Sequence, residues 1–70
     1  MNEIKSQISG TVWQILVEVG QTVSEEEELI ILESMKMEIP VNAPEKGRIA
    51  EVLVVPNQQV QEGQVLLRLE

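Results

Sequence analysis

The sequence predicts an all-β fold: a flattened barrel or sandwich of two antiparallel sheets with an internal pseudo-two-fold axis. Three observations predict it. Apolar residues come in short runs rich in Val, Ile and Leu, turn-forming or polar residues bound each run, and the second half of the chain repeats the first.

The runs are 12–17, 29–32, 49–55 and 65–69. Each has the length of a strand and none keeps a helical period for several turns. After the first run, Gly20 marks a turn. Ser24 followed by Glu25, Glu26, Glu27 and Glu28 could open a helix with Ser24 as its cap. That segment is too short and runs straight into Leu29, so it reads as a solvated turn. The second run ends at Glu33, and Ser34, Met35, Lys36 and Met37 form a tight connection that returns through Glu38, Ile39, Pro40 and Val41. Pro40 suits an edge strand and Pro44 a turn, because proline cannot donate to a sheet ladder. Residues 42–47 link the halves, and Asn57 marks the turn of the second half.

The repeat is ungapped. Residues 10–33 lie over 47–70 at an offset of 37, with nine of the 24 positions identical. These include Gly10/Gly47, Leu16/Leu53, Val17/Val54, Gln21/Gln58, Val23/Val60 and Leu29/Leu66. Matches concentrate on apolar positions and turns, which fix a core, so chance likeness of two Val- and Leu-rich stretches is the weaker reading. Each half is expected to give a strand, a turn and a second strand, and the two together to give two antiparallel sheets packed face to face. Lys36 then falls at the end opposite the chain termini. Trp13 breaks the symmetry against Ala50 and is expected to be core or half-buried, with partner docking as the lesser reading.

Composition narrows the function. Seventy residues make one small domain, 1–70, with little concave surface for a substrate. Cysteine, histidine and aspartate are all absent. No disulfide or thiolate metal site can form, and the commonest general base is missing. A net charge of −7 speaks against nucleic acid and against anionic membranes. The apolar runs fall short of a membrane span, and the N-terminus lacks the layout of a signal peptide. A soluble protein of cytoplasmic type is expected, suited to a free-standing role and to an excised domain alike.

The connection at Lys36 strains local rules. A two-residue hairpin needs positive φ at its centre, normally met by Asn-Gly or Asp-Gly, yet Met35 and Lys36 stand there. In that register Glu33 faces Glu38, like charge against like. Two methionines sit at a tip where burial gains them little. Singly, a turn lysine is a solvated lysine, methionine is filler and glutamate is surface. Together, between two repeat halves, they mark a functional site.

Glu33, Ser34, Met35, Lys36, Met37 and Glu38 resemble the attachment motif of biotin carboxyl carrier domains, usually Glu-Ala-Met-Lys-Met. The resemblance extends over nearly the whole chain, through Gly10, Gly20, Ala43-Pro44, Gly47 and Glu62-Gly63-Gln64-Val65-Leu66. Related lipoyl domains share the fold and the hairpin lysine but typically carry Asp-Lys and a small residue, so Met35 and Met37 favour biotin. Ser34 replaces the usual Ala, and Glu26 replaces a usual turn Gly.

The resemblance implies biotin, attached covalently to Lys36 by a biotin protein ligase through biotinyl-adenylate. It gives Met35 and Met37 the framing of the lysine, and Glu33 and Glu38 a part in recognition or in discouraging lipoylation. The arm would shuttle carboxybiotin between biotin carboxylase and carboxyltransferase, subunits or domains of a carboxylase-type system. The chain itself would be a carrier and not an enzyme. Two other readings stay open: a lipoyl-type acyl carrier, and an unmodified barrel acting as a binding module.

Overall fold

A computed structural model describes residues 2–70. Eight strands run in the order β1 (Asn2–Lys5), β2 (Gly10–Ile15), β3 (Thr22–Val23), β4 (Glu28–Ser34), β5 (Met37–Asn42), β6 (Gly47–Val52), β7 (Gln59–Val60) and β8 (Val65–Leu69). They form two four-stranded sheets, β1-β8-β6-β3 and β5-β4-β2-β7, antiparallel throughout. The expected all-β architecture of two sheets is what the chain adopts. Among the described residues, no helix is long and apolar enough to cross a membrane.

The repeat is more complete in space than in sequence. Adding 37 to β1, β2, β3 and β4 gives β5, β6, β7 and β8, so one sheet order becomes the other. The pairing follows residue by residue. Ile4 opposes Leu67 as Val41 opposes Ile30, and Val12 opposes Leu32 as Ile49 opposes Leu69. The irregularities repeat as well, after Val12 and after Ile49.

Alternation along the strands places the core between the sheets. Val12, Leu29, Ile30 and Leu32 of one half meet Ile49, Leu66, Leu67 and Leu69 of the other, all fully or almost fully buried. Ile4 of β1 joins them, and so does Ala43, which follows β5. Ser6, the counterpart of Ala43, is buried too, and its hydroxyl donates to the Ile8 carbonyl at 2.5 Å, so its burial leaves no open polar group.

Turns are matched across the axis. The Glu18 amide donates to Gln21 Oε1 at 3.1 Å, and the Val55 amide donates to Gln58 Oε1 at 3.1 Å. Gly20 and Asn57 take left-handed φ of 92° and 73°. Glu26, where a glycine was expected, has φ 70° against 88° at Gly63. The glutamate thus keeps the turn: its amide donates to the Ala43 carbonyl as that of Gly63 donates to Ser6, both at 2.8 Å.

Pro40 lies on β5, the edge of its sheet, where a missing N–H costs no ladder bond. Trp13 corrects an expectation. It is not in the core: 47 % of its surface is exposed. The register advances from Val12 opposite Leu32 to Gln14 opposite Ile31, leaving Trp13 as the extra residue of a β-bulge. Trp13 follows buried Val12, so alternation already sends its indole outward, and the bulge sends Gln14 outward beside it.

Candidate functional site

The hairpin between β4 and β5 forms in the expected register. Ser34 pairs with Met37, and Glu33 pairs with Glu38. Met35 and Lys36 occupy the two central positions with φ 52° and 64°. Those values define a primed turn, whose twist matches the flanking strands. Left-handed backbone costs a side-chain-bearing residue roughly 1–2 kcal/mol, so two such residues in succession hold strain.

That strain is imposed by the strands below. Residues 28–34 and 37–42 are locked by an antiparallel ladder that leaves two residues to reverse the chain. Gly10 of β2 closes the base. A Cβ there would lie 2.6 Å from the Glu33 carbonyl oxygen and 3.4 Å from the Ser34 Cβ, so only glycine admits β4 this close. The symmetric Gly47 would meet the Glu70 carbonyl at 3.3 Å, a looser approach.

All the sequence-derived site residues therefore lie on one hairpin. Met35 is 91 % exposed and Met37 63 % exposed. Lys36, Glu33 and Glu38 are exposed, and Ser34 is half-buried against the base. The ion pairs found among the described residues both belong to Arg68, bridging Glu3 at 3.2 Å and Glu51 at 2.8 Å. Its hydrogen bonds to Glu51 and then Glu3 raise the guanidinium pKa. Lys36 takes no part in them, and its amine faces solvent.

Chemistry at Lys36 is not enclosed by this chain. A cleft of about 580 Å³ runs between the edge strands β1 and β5, lined by Ile4, Ser6, Leu32, Val41 and Ala43 among others. Met35, Lys36 and Met37 lie outside it. No group of three acidic residues among those described is placed to hold a metal. The hairpin can thus present an amine on a stiff base.

A symmetric β sandwich that offers one lysine on a strained turn, away from its cleft, defines a class: small scaffolds for a covalently attached group. The profile of the biotin/lipoyl family described as "Biotin-requiring enzyme" matches residues 1–69. The chain belongs to the biotin/lipoyl attachment domain family. It is 41 % identical over 66 residues to a biotin/lipoyl attachment protein of Bacillus subtilis (strain 168), covering 94 % of this chain and 90 % of that protein. It is 39 % identical to the dihydrolipoyllysine-residue acetyltransferase component of the pyruvate dehydrogenase complex of Haemophilus influenzae, across 84 % of this chain but 10 % of that protein. Among solved structures it superposes on a single-chain, multi-domain long-chain acyl-CoA carboxylase with a TM-score of 0.90 at 35 % identity, covering 94 % of this chain and 7 % of that one.

Sequence reasoning missed three strands and one surface. The strands β1, β3 and β7 carry few apolar residues. The exposed face around Trp13 was hidden by the expectation that a tryptophan is buried.

Proposed function

We propose that Lys36 accepts biotin from a biotin protein ligase, and that the chain carries it between biotin carboxylase and carboxyltransferase sites. The observation that carries this reading is the Met35-Lys36-Met37 turn, whose two flanking methionines stand in solvent at the tip of a fixed hairpin. Exposed methionines gain nothing from a core, whereas a flexible thioether adapts to a partner's surface. The carboxylase among the similar structures supports the same direction.

The attachment site fits the group. Amide formation needs a free amine on an accessible side chain, and Lys36 offers one. The strained turn holds the Lys36 backbone in one orientation, so little is lost in ordering it when the ligase binds. The amine must shed a proton to attack, and the hairpin brings no histidine, only the exposed carboxylates of Glu33 and Glu38, so its removal falls to the ligase. When attached, biotin supplies a ureido nitrogen able to carry an activated carboxyl group. Tethering at the hairpin keeps that group at high local concentration near both partner sites.

One observation favours a second reading: the acetyltransferase relative carries a dihydrolipoyl group, by its name. Intact mass after coexpression with a biotin protein ligase, and separately with a lipoate ligase, decides between them. The biotin reading expects a biotinyl adduct on wild type, mapped to Lys36 and lost in Lys36→Arg. A lipoyl adduct alone, or no biotin on folded wild type, refutes it. Biotin that survives Lys36→Arg refutes the site.

A further inference from the structure

The two-fold axis provides an internal control for function. A feature in both halves belongs to the scaffold, and a feature in one half needs its own explanation. Exposed Leu16 and Leu53 are symmetry mates and fall in the first class. The outer faces of the two sheets, compared row by row, fall in the second.

In one sheet, Glu3, Arg68 and Glu51 form a cross-strand row, tied by the two ion pairs of Arg68, with Ala50 at the bulge. The equivalent row in the other sheet is Pro40, Ile31 and Gln14, with Trp13 at the bulge. A charged, self-satisfied row has an uncharged counterpart, apolar but for exposed Gln14, in which Trp13 and Pro40 are exposed and Ile31 is partly so. That row lies on the sheet that carries Lys36. The next row toward the hairpin holds Glu33 and Glu38, unneutralised by either ion pair.

We propose that Trp13, Ile31 and Pro40 form a docking patch for the ligase that modifies Lys36, a protein surface with an apolar pocket rimmed by basic side chains. The inference rests on the proposed function. Charge complementarity selects the occupant, since Glu33 and Glu38 lie between the patch and the lysine and call for cations opposite. A second copy of the chain would set Glu33 and Glu38 against their own kind, with −7 on each partner. The same acidity repels an anionic membrane.

Reach selects the ligase among protein partners. Ile31 stands four residues from Met35, about 13 Å at roughly 3.3 Å per residue. A standard interface buries about 800 Å² per partner, a disc of roughly 16 Å radius. An enzyme that brings its active site to Nζ of Lys36 must centre its footprint at the tip, and the patch falls inside that disc. An enzyme acting on the far end of the arm can stand clear of the sheet.

Trp13 is the one tryptophan of the chain, so its indole N–H gives a single resonance in the ¹⁵N-labelled protein. Titration with an unlabelled biotin protein ligase is expected to shift or broaden that resonance. In steady-state biotinylation, Trp13→Ala is expected to raise KM about tenfold with kcat little changed, as truncating an interface tryptophan does. Ile31→Thr should act in the same direction and Glu51→Gln, on the opposite sheet, should leave KM alone. An indole resonance untouched at saturating ligase overturns the proposal. So does wild-type KM in Trp13→Ala, or a loss confined to kcat. Wild type that is labelled normally while these tests fail overturns the patch alone. Folded wild type that takes no biotin overturns the proposed function and the patch with it.

Discussion

Glu26→Gly tests the claim that the scaffold holds backbone strain outside its functional hairpin. Glu26 has φ 70° and donates its amide to Ala43, as Gly63 does to Ser6 with φ 88°. Left-handed backbone costs a residue with a Cβ roughly 1–2 kcal/mol. Glycine returns part of that through its freer unfolded chain, about 0.5–1 kcal/mol. The net gain expected for Glu26→Gly is about 0.5–1 kcal/mol, which in a domain of this size raises Tm by about 2–8 °C. Two variants isolate the backbone term. Glu26→Gln removes the charge from the run of Glu25, Glu26, Glu27 and Glu28 but keeps the strain, so it should gain less. Gly63→Glu imposes the strain where a new Cβ meets nothing within 4 Å, so it should lose about what Glu26→Gly gains. Thermal and urea unfolding followed by circular dichroism read all three. A lower Tm for Glu26→Gly, or equal gains for Glu26→Gly and Glu26→Gln, refutes the reasoning.

Three more outcomes are expected. Met35→Asn with Lys36→Gly suits a primed turn, and should stabilise the fold by about 1–2 kcal/mol in urea titrations while removing the acceptor amine. Gly10→Ala places a Cβ against the Glu33 carbonyl and should cost about 1–3 kcal/mol and disturb the Ser34 and Glu33 amide resonances, with Gly47→Ala milder at its looser contact. Glu33→Gln relieves the facing pair with Glu38, and should stabilise by about 0.5 kcal/mol at low salt and less in 1 M salt.

The legible part of the sequence was the part under packing constraint. Val17/Val54, Val23/Val60 and Leu29/Leu66 betray the repeat because both copies fill one core from equivalent positions. The hairpin was legible through its misfit, since Met35 and Lys36 are poor choices for positive φ. The strand β1 was not legible. Residues 2–5 share no identity with 39–42, and the equivalence survives as Ile4 against Val41, with Ser6 against Ala43 beyond it. Inward placement alone is conserved there, with Ile4 buried and Val41 partly so, and it gives no periodic signal. Two-residue strands such as β3 and β7 lie below any pattern's reach. Trp13 was misplaced because size argues for burial, while alternation from buried Val12 sends its side chain to the outer face.

Strand β1 maps onto residues 39–42 of β5 and residues 10–33 map onto 47–70, and Ser34, Met35, Lys36 and Met37 join one copy to the next. They are the seam that turns two interlocked halves into one thread. Neither half could bury its apolar face without the other, so the halves constrain each other at almost every inward position. The seam is bound by no such reciprocity beyond its two closing pairs. Its residues are free to be chosen for an outside reader, and the core can tolerate whatever is written there.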